Sequence, residues 1–223
     1  MSRFVFIALL ALSACAGPAQ SQTEQQTLVD RSTLVVQEML AEPNGTEARN
    51  LLKKAKGAMV CPRVFKAGFF VGGQGGDCLL VGRNANGAWS GPAFYGMGSG
   101  SFGLQIGVQD AEMIFIVLTD KGLQALLDSQ FKFGADASVA VASIGAGVSG
   151  STTTALRADI VSFAQARGLF VGISLEGSLL SNRSNWNTAY YGKPIGAQQI
   201  VIGGEGQNPG AAPLQEILAR YAQ

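Results

Sequence analysis

The chain has 223 residues, enough for one medium-sized domain with a buried core. It is weakly charged, with 14% charged residues and a formal net charge of +1, and glycine accounts for 30 residues. Histidine is absent, which excludes histidine-based catalytic triads and histidine proton shuttles. This composition favours many short β-strands with close backbone approach over a helical bundle.

The first residues have the pattern of a secretory signal. Arg3 precedes an apolar run over residues 4–12, which is too short to cross a bilayer, and small residues follow. The sequence LSAC at residues 12–15 resembles the lipobox of bacterial lipoproteins, in which the cysteine becomes the acylated first residue. We therefore expect residues 1–14 to be a lipoprotein signal peptide and Cys15 to carry acyl chains such as palmitate. The alternative is an ordinary signal peptide that is cut elsewhere.

A polar, glutamine-rich segment follows this cysteine. We predict that residues 15–26 form a flexible tether and that residues 27–223 form a single domain. Ala16 rather than an aspartate follows Cys15, and by resemblance to Gram-negative lipoproteins this favours the outer membrane. The sequence leaves open whether the domain faces the periplasm or the cell surface.

Two helices are predicted at the start of the domain. An apolar stripe predicts the first over residues 27–42, and Thr46 caps a second that we predict over residues 47–59. Between Glu47 and Lys66 there are six basic residues and one acidic residue, a local charge of 6 − 1 = +5. The basic residues are Arg49, Lys53, Lys54, Lys56, Arg63 and Lys66.

This basic segment predicts a surface for anionic membranes. Arg49, Lys53 and Lys56 would share one row along the second helix. Each Lys or Arg close to acidic headgroups contributes about 1 kcal/mol to membrane binding. The alternative is a solvated helix face that keeps the protein soluble. Nucleic acid is not an expected partner, because the domain as a whole is not basic.

A first β-hairpin is predicted after the helices. Its strands are expected over residues 64–71 and 78–83, with a turn through the glycine-rich residues 72–76. That register sets Cys78 opposite Phe70 and far from Cys61, which argues against a Cys61–Cys78 disulfide. An exported protein would nevertheless meet an oxidising compartment, so this disulfide stays open.

Strands, two helices and one helical turn are predicted further along. Alternating or continuous apolar runs predict the strands, and Thr119 or Asp120 is expected to cap the first of the helices. The strands are expected over residues 102–108, 112–119 and 159–166, the helices over residues 120–131 and from Pro213 onward, and a helical turn over residues 185–191. Residues 135–149 are a stretch of small residues in which valine, alanine and glycine alternate.

The glycine-rich stretch of the first hairpin has a second copy. Residues 68–83 match residues 168–183 at seven of sixteen positions. Each copy predicts a strand, a turn and a strand, and two such hairpins suggest two halves of one sheet. The predicted fold class is therefore α+β: a mostly antiparallel β core, barrel-like or stacked, built from two related hairpin halves, with N-terminal helices and a short C-terminal helix.

Five motifs of this chain resemble those of the SYLF domain family. They are FKAGFF at 65–70, WSGP at 89–92, GSFGLQIG at 100–107, GLFVGISLEGS at 168–178 and YYGKP at 190–194. The similarity extends from about Leu51 to Gly203, in the order of the family. The resemblance implies a non-enzymatic protein that binds phosphoinositides and other acidic lipids. It also implies that the basic N-terminal segment, and so the six basic residues named above, contacts the lipid.

No cofactor or metal is expected. Residues 98–103 and 145–150 match G-x-G-x-x-G, but strands surround both, whereas a dinucleotide site needs a following helix. The leading hypothesis is a membrane-anchored lipoprotein that binds acidic phospholipids through its basic helix. One alternative is a structural or interaction lipoprotein of the cell envelope, with protein partners unknown. Another is a barrel that carries a hydrophobic ligand.

Overall fold

The structure is a computed structural model that describes residues 23–41, 45–68, 70–102, 107–143, 157–168, 175 and 177–223. In these ranges the helices are α1 (Thr23–Met39), α2 (Thr46–Leu52), α3 (Asp120–Leu127), α4 (Ser184–Tyr191), α5 (Ala197–Val201) and α6 (Ala212–Tyr221). The strands are β1 (Gly57–Gly68), β2 (Val71–Gly82), β3 (Ala93–Phe102), β4 (Gly107–Val117), β5 (Gln130–Lys132), β6 (Val139–Ser143), β7 (Ile160–Gly168) and β8 (Leu179–Asn182). The predicted signal peptide and Cys15 lie outside the described residues.

The described strands form one curled sheet, an open half-barrel. Their order is β5-β8-β3-β2-β1-β4-β7-β6, and the pairs are antiparallel except for β6 and β7, which are parallel. The first four strands therefore occupy the centre, and the later strands extend both edges. The predicted fold class, α+β with a mostly antiparallel sheet, N-terminal helices and a short C-terminal helix, is confirmed.

Each face of the sheet packs against its own hydrophobic core, because successive side chains of a strand point to opposite faces. On one face, strand residues such as Val60 and Ile116 pack with α1, α2 and α6. On the other, residues such as Met59 and Phe115 pack with α3, α5 and the β5 residue Phe131. The sheet is thus the middle layer of the domain, and its two faces have different helical covers.

Helix α1 is an integral part of this fold. It begins at Thr23, so the last four residues of the predicted tether, 23–26, are helical. The Gln26 side chain donates a hydrogen bond to the carbonyl oxygen of Gly210, 3.0 Å away, which fixes the start of the helix near α6. Its apolar face is buried in the core through Leu28, Val29, Ser32, Val35, Val36 and Met39. That face is therefore not available to a bilayer.

The second predicted helix is much shorter than expected. Helix α2 ends at Leu52 and β1 begins at Gly57, so the prediction of a helix through Met59 is wrong. The reason is tertiary: Ala58 and Met59 are fully buried in a strand that pairs with β2 on one side and β4 on the other. The guanidinium of Arg83 donates to the Lys53 carbonyl oxygen at 2.7 Å and so satisfies the end of the helix.

The register of the first hairpin also differs from the prediction. Strand β2 already begins at Val71, and Gly68 pairs with Gly72, so residues 72–76 are strand and the predicted turn there is wrong. The observed register sets Cys61 near Cys78, and the two form a disulfide with their Cα atoms 4.2 Å apart. The register argument against this disulfide was therefore wrong, because glycine marked close strand packing here rather than a turn.

A β-bulge at Pro62 changes the face of the sheet to which the later side chains of β1 point. The pairing register shifts between Val60 and Arg63 on the β2 side and between Cys61 and Val64 on the β4 side. Proline has no N–H to donate, and one extra residue exchanges the faces of all later side chains. As a result Val64 packs in the same core as Cys61, while Arg63 and Phe65 lie on the side of the sheet that faces α1.

Some of the later predictions are confirmed where the structure describes the residues, but the predicted strand over residues 102–108 is wrong, because β3 ends at Phe102 and a different strand, β4, begins at Gly107. Strands β4 and β7 and the Thr119 cap of α3 are confirmed, although α3 ends at Leu127 and Phe131 lies in β5. In the second copy of the repeat, β8 pairs with β3 and β5. Residues 169–174, the expected first strand of that copy, and residues 145–150 lie outside the described residues. No helix in the described ranges is long and apolar enough to cross a membrane.

Candidate functional site

The six basic residues predicted to bind lipid fall into two groups. The α2–β1 cations are Arg49, Lys53, Lys54 and Lys56, which lie in α2 and in the segment before β1. The strand cations are Arg63 and Lys66, which lie near the other end of β1. At about 3.3 Å per residue, roughly 30 Å of strand separates Lys56 from Lys66. The expected row of Arg49, Lys53 and Lys56 along the second helix is also wrong, because α2 ends at Leu52 and both lysines follow it.

The α2–β1 cations are partly engaged by the fold. The guanidinium of Arg49 donates to the Leu40 carbonyl oxygen at 2.6 Å, which ties the end of α1 to α2. Lys56 pairs with Asp120 at 3.5 Å across the surface. Lys53 and Lys54 are exposed and form no ion pair with any residue that the structure describes. This group therefore combines a structural arginine with exposed lysines.

The strand cation Arg63 lies in a surface ion pair next to an aromatic ring. Its Nε donates to both carboxylate oxygens of Asp110 on β4, at 3.1 and 2.8 Å. Its guanidinium also lies 5.7 Å from the centre of the Phe65 ring. Lys66 follows at the position whose Cα partners are Gln74 on β2 and Gln109 on β4. Only the second group therefore places cations beside an exposed aromatic side chain.

A groove of about 720 Å³ separates α1 from the β1–β2 hairpin, and we call it the α1 groove. Its basic side chains are Arg31, Arg63 and Arg183, and its aromatic rings belong to the exposed Phe65 and the partly buried Trp186. Thr23, Glu24, Thr27, Leu28, Pro62, Gly75, Gly76 and Asp77 complete the lining. The three arginines come from α1, β1 and the residue before α4, so the curl of the sheet and the docking of α1 create this site.

The arginines of the α1 groove differ in their contacts. The guanidinium of Arg183 stacks 4.2 Å from the centre of the Trp186 ring and lies 2.8 Å from the Asp77 carboxylate. Arg31 is exposed and forms no ion pair with any described residue. Stacked guanidinium groups keep their in-plane N–H donors available. The arrangement can therefore bind an anion beside apolar surface.

Glycine forms the floor of this groove. A Cβ added at Gly76 would overlap the carbonyl oxygen of Arg63, because the bulge at Pro62 brings the two backbones close together. A side chain here would push apart the strands that present Arg63 and Phe65 to the groove. The sequence pattern gave no sign of this role, since the same glycine predicted a turn.

The perturbed titratable groups lie away from the α1 groove. The pKa of Asp159 is lowered to about 2, because it accepts hydrogen bonds from the Thr119 hydroxyl and from the N–H and hydroxyl of Ser138, with Lys121 nearby. Burial raises the pKa of the Tyr95, Tyr190 and Tyr191 hydroxyls. These groups hold the fold together. In the described ranges no cluster of three or more metal-ligating side chains occurs.

The sequence anticipated part of this site. It singled out Arg63 and Lys66, and the FKAGFF motif included Phe65, but Arg31 and Trp186 were not predicted. Arg183 gave a weak signal, since it repeats Arg83 in the internal copy. What was missing was the proximity of α1 and α4 to β1, which no local pattern contains.

The chain is similar to one protein-family model and to several curated proteins. The family model "Ysc84: Las17-binding protein actin regulator" matches residues 98–221. "SH3 domain-containing YSC84-like protein 1" of Rattus norvegicus is 33% identical over 175 residues, which cover 78% of this chain and 51% of that protein. "Protein YSC84" of Saccharomyces cerevisiae is 30% identical over 175 residues, which cover 77% of this chain and 37% of that protein.

The chain spans about half the length of the mammalian relatives it matches. The human protein of the same name as the rat relative is 31% identical over 175 residues, with 78% of this chain and 51% of that protein covered. The family match extends over more than half of the chain and includes the strands on both edges of the sheet. The chain therefore belongs to the Ysc84 family, the SYLF domain family that its motifs predicted.

Proposed function

We propose that this protein is a non-enzymatic, membrane-anchored protein that binds acidic phospholipids, phosphoinositides among them, with the α1 groove facing the headgroups. The observation that carries the proposal is the convergence of three arginines and two aromatic rings in one groove of about 720 Å³. Guanidinium groups match the geometry of phosphate oxygens, and aromatic rings suit the boundary between apolar chains and water.

The ion pairs already present in the groove do not prevent this binding. The side chains of Arg63 and Asp110 are 60% and 43% exposed, and Arg183 and Asp77 are similarly accessible. Exposed ion pairs of this kind contribute about 0–1 kcal/mol. A lipid phosphate can therefore replace the carboxylate as the partner of the guanidinium at little cost in free energy, and water then hydrates the carboxylate.

The proposed lipid anchor would join the domain at one edge of the groove. Thr23, the first residue of α1, lines the groove together with Phe65. The eight positions from Cys15 to Thr23 can extend over at most about 28 Å. Acyl chains on Cys15 in the outer membrane would therefore keep the groove close to the lipid surface.

This geometry divides the six predicted lipid-binding residues. We propose that Arg31 and Arg63 contact headgroups in the α1 groove. Lys66 lies on the opposite face of β1 from Arg63, near the turn of the hairpin, and we propose that it contacts headgroups from that face. The α2–β1 cations lie at the opposite end of β1 and would point away from a membrane that faces the groove. Lys53 and Lys54 then provide a matched control, because their removal changes the charge equally at the wrong end of the domain.

Vesicle co-sedimentation of the unacylated chain, residues 16–223, tests the proposal. Two cations near the surface contribute about 2 kcal/mol, so Arg31→Gln with Lys66→Gln should weaken binding to anionic vesicles about tenfold to thirtyfold. Lys53→Gln with Lys54→Gln should weaken it less than twofold. Binding of the wild type should fall as salt rises. Equal losses in both double variants, or binding that ignores salt and lipid charge, would contradict the proposal.

The anchor needs its own measurement. Metabolic labelling with a palmitate analogue should label the wild-type protein in the outer-membrane fraction. Cys15→Ala should lose both the label and the membrane location, and Cys15→Ser should behave in the same way. Label retained in the alanine variant would refute acylation at Cys15 without affecting the headgroup site.

A second candidate function is the binding of a protein partner. The matched family model and the yeast relative "LAS seventeen-binding protein 3" carry Las17-binding in their names, which supports a protein-binding role for a surface of this domain. The third hypothesis, a carrier of a hydrophobic ligand, gains no support from the described core. Tyr95, Phe115 and Phe131 fill that core and are each at most 1% exposed.

A further inference from the structure

We propose that the turn end of the β1–β2 hairpin inserts apolar side chains into the bilayer, below the level at which the α1 groove holds headgroups. The proposal rests on the proposed function and gives that function an orientation. We define the hairpin tip as residues 64–68 and 70–76 of the hairpin together with the adjoining strand ends, residues 97–102 and 107–109.

The hairpin tip has almost no charge. Lys66 is the one charged residue among the 21 residues of the tip, and none is a carboxylate, whereas the composition of the chain would give about three charged residues. The remaining residues are glycine, serine, glutamine and apolar residues. An end of a sheet with this composition loses little hydration of charged groups when it enters a lipid interface.

The same end holds most of the exposed large apolar side chains that the structure describes. Phe70 is 63% exposed, Val108 52% and Phe65 42%. Leu179, which is 41% exposed, lies in the same cross-strand row as Phe65, through Gly75 and Gly98. The other three, Leu34, Val141 and Ile202, lie on three other elements. Exposed apolar patches of this kind mark interaction surfaces.

A belt of charged residues borders the tip. Arg63 pairs in register with Asp77, Arg183 contacts Asp77, and Asp110 accepts from Arg63. Lys66, inside the tip and on the other face of β1, has a long side chain whose ammonium group can extend to the level of the headgroups while its methylene groups stay in apolar surroundings. The belt contains two arginines and two aspartates, and Lys66 adds one further positive charge to this end of the sheet. Exposed guanidinium groups can exchange their carboxylate partners for lipid phosphates, so an apolar end below this belt matches the layering of acyl chains below the phosphates of an anionic bilayer.

The opposite end of the sheet has a different character. The start of β1 is bordered by Lys53, Lys54, Lys56 and Arg83, and Asp120 pairs with Lys56. Inserting that end would place several charges in the acyl region, at a large cost in hydration. The asymmetry between the two ends therefore orients the domain with the turn of the hairpin toward the membrane.

Binding measurements with matched serine variants test the insertion. Phe70→Ser should weaken binding of residues 16–223 to anionic vesicles about tenfold, and Phe65→Ser together with Phe70→Ser should weaken it further. Leu34→Ser removes a side chain with the same 63% exposure from α1 and should change binding less than twofold. Because these side chains are exposed, the variants should unfold at the wild-type temperature, which circular dichroism checks.

Depth is measured with tryptophan and brominated lipids. The emission that Phe70→Trp adds to that of the wild-type protein, which contains Trp89 and Trp186, should shift to shorter wavelengths on vesicle binding and be quenched by brominated acyl chains. The emission that Leu34→Trp adds should show neither effect. Serine variants that bind within twofold of the wild type, or a bound Phe70→Trp protein without quenching, would overturn the insertion and leave the headgroup site in place. Wild-type protein that binds no anionic vesicle would overturn both proposals.

Discussion

Breaking the Cys61–Cys78 disulfide should lower the free energy of unfolding by about 3 kcal/mol. The two cysteines are 17 positions apart, and loop-closure entropy for a loop of that length gives this value at 25 °C. Both side chains are 0% exposed, so a reductant should not reach the bond in the folded protein. The reductant should therefore act only on unfolded chains. The reduced chains should then refold to a protein that is less stable than the disulfide-bonded one.

Urea titration with and without a thiol reductant measures this effect. For a slope of about 2–3 kcal/mol/M, the midpoint should fall by about 1–1.5 M in the reductant. The double variant Cys61→Ala, Cys78→Ala is the control, since its midpoint should not respond to reductant. A shift below about 0.3 M, or two free thiols that react with a maleimide in the native protein, would refute the reasoning.

Two further predictions concern stability. Because the folded pKa of Asp159, about 2, lies below its ordinary value of 3.8, its stabilisation is complete above about pH 4 and is lost as the pH falls through about 2. Asp159→Asn should therefore cost about 2 kcal/mol at pH 7 and much less at pH 2 in urea titrations, and an equal loss at both pH values would contradict this. Gly76→Ala should cost about 1–3 kcal/mol by overlap with the Arg63 backbone, whereas Gly100→Ala, with no atom within 4 Å of its new Cβ, should change stability by less than about 0.5 kcal/mol in the same assay.

Local patterns in the sequence predicted those elements whose apolar periodicity is decided locally. The continuous apolar run before Val117 gave β4, and the Thr119 hydroxyl gave the start of α3. The prediction of a helix over residues 53–59 is wrong because the pairing of β1 with two distant strands outweighs a helix-like pattern. The prediction of a turn over residues 72–76 is wrong because a strand that lies between two neighbouring strands tolerates glycines. The local sequence does not distinguish a glycine-rich strand from a turn.

The candidate site depended still more on distant contacts. Arg31 and Arg183 lie 32 and 120 residues from Arg63 in the sequence, and the fold brings them into one groove. The bulge at Pro62 decides that Arg63 faces this groove rather than the other core. A basic segment was visible in the sequence, but its division between two ends of one strand was not.

The strand order has a consequence for where this protein can be divided. The family match begins at residue 98, inside β3, yet β1 and β2 stand between β3 and β4 in the sheet. Among the strands that the structure describes, a fragment that starts there would retain one group around β8 and another around β7, with no strand pairing between the two groups. A fragment limited to the family match would therefore lack β1 and β2, the strands that join these two groups into one sheet.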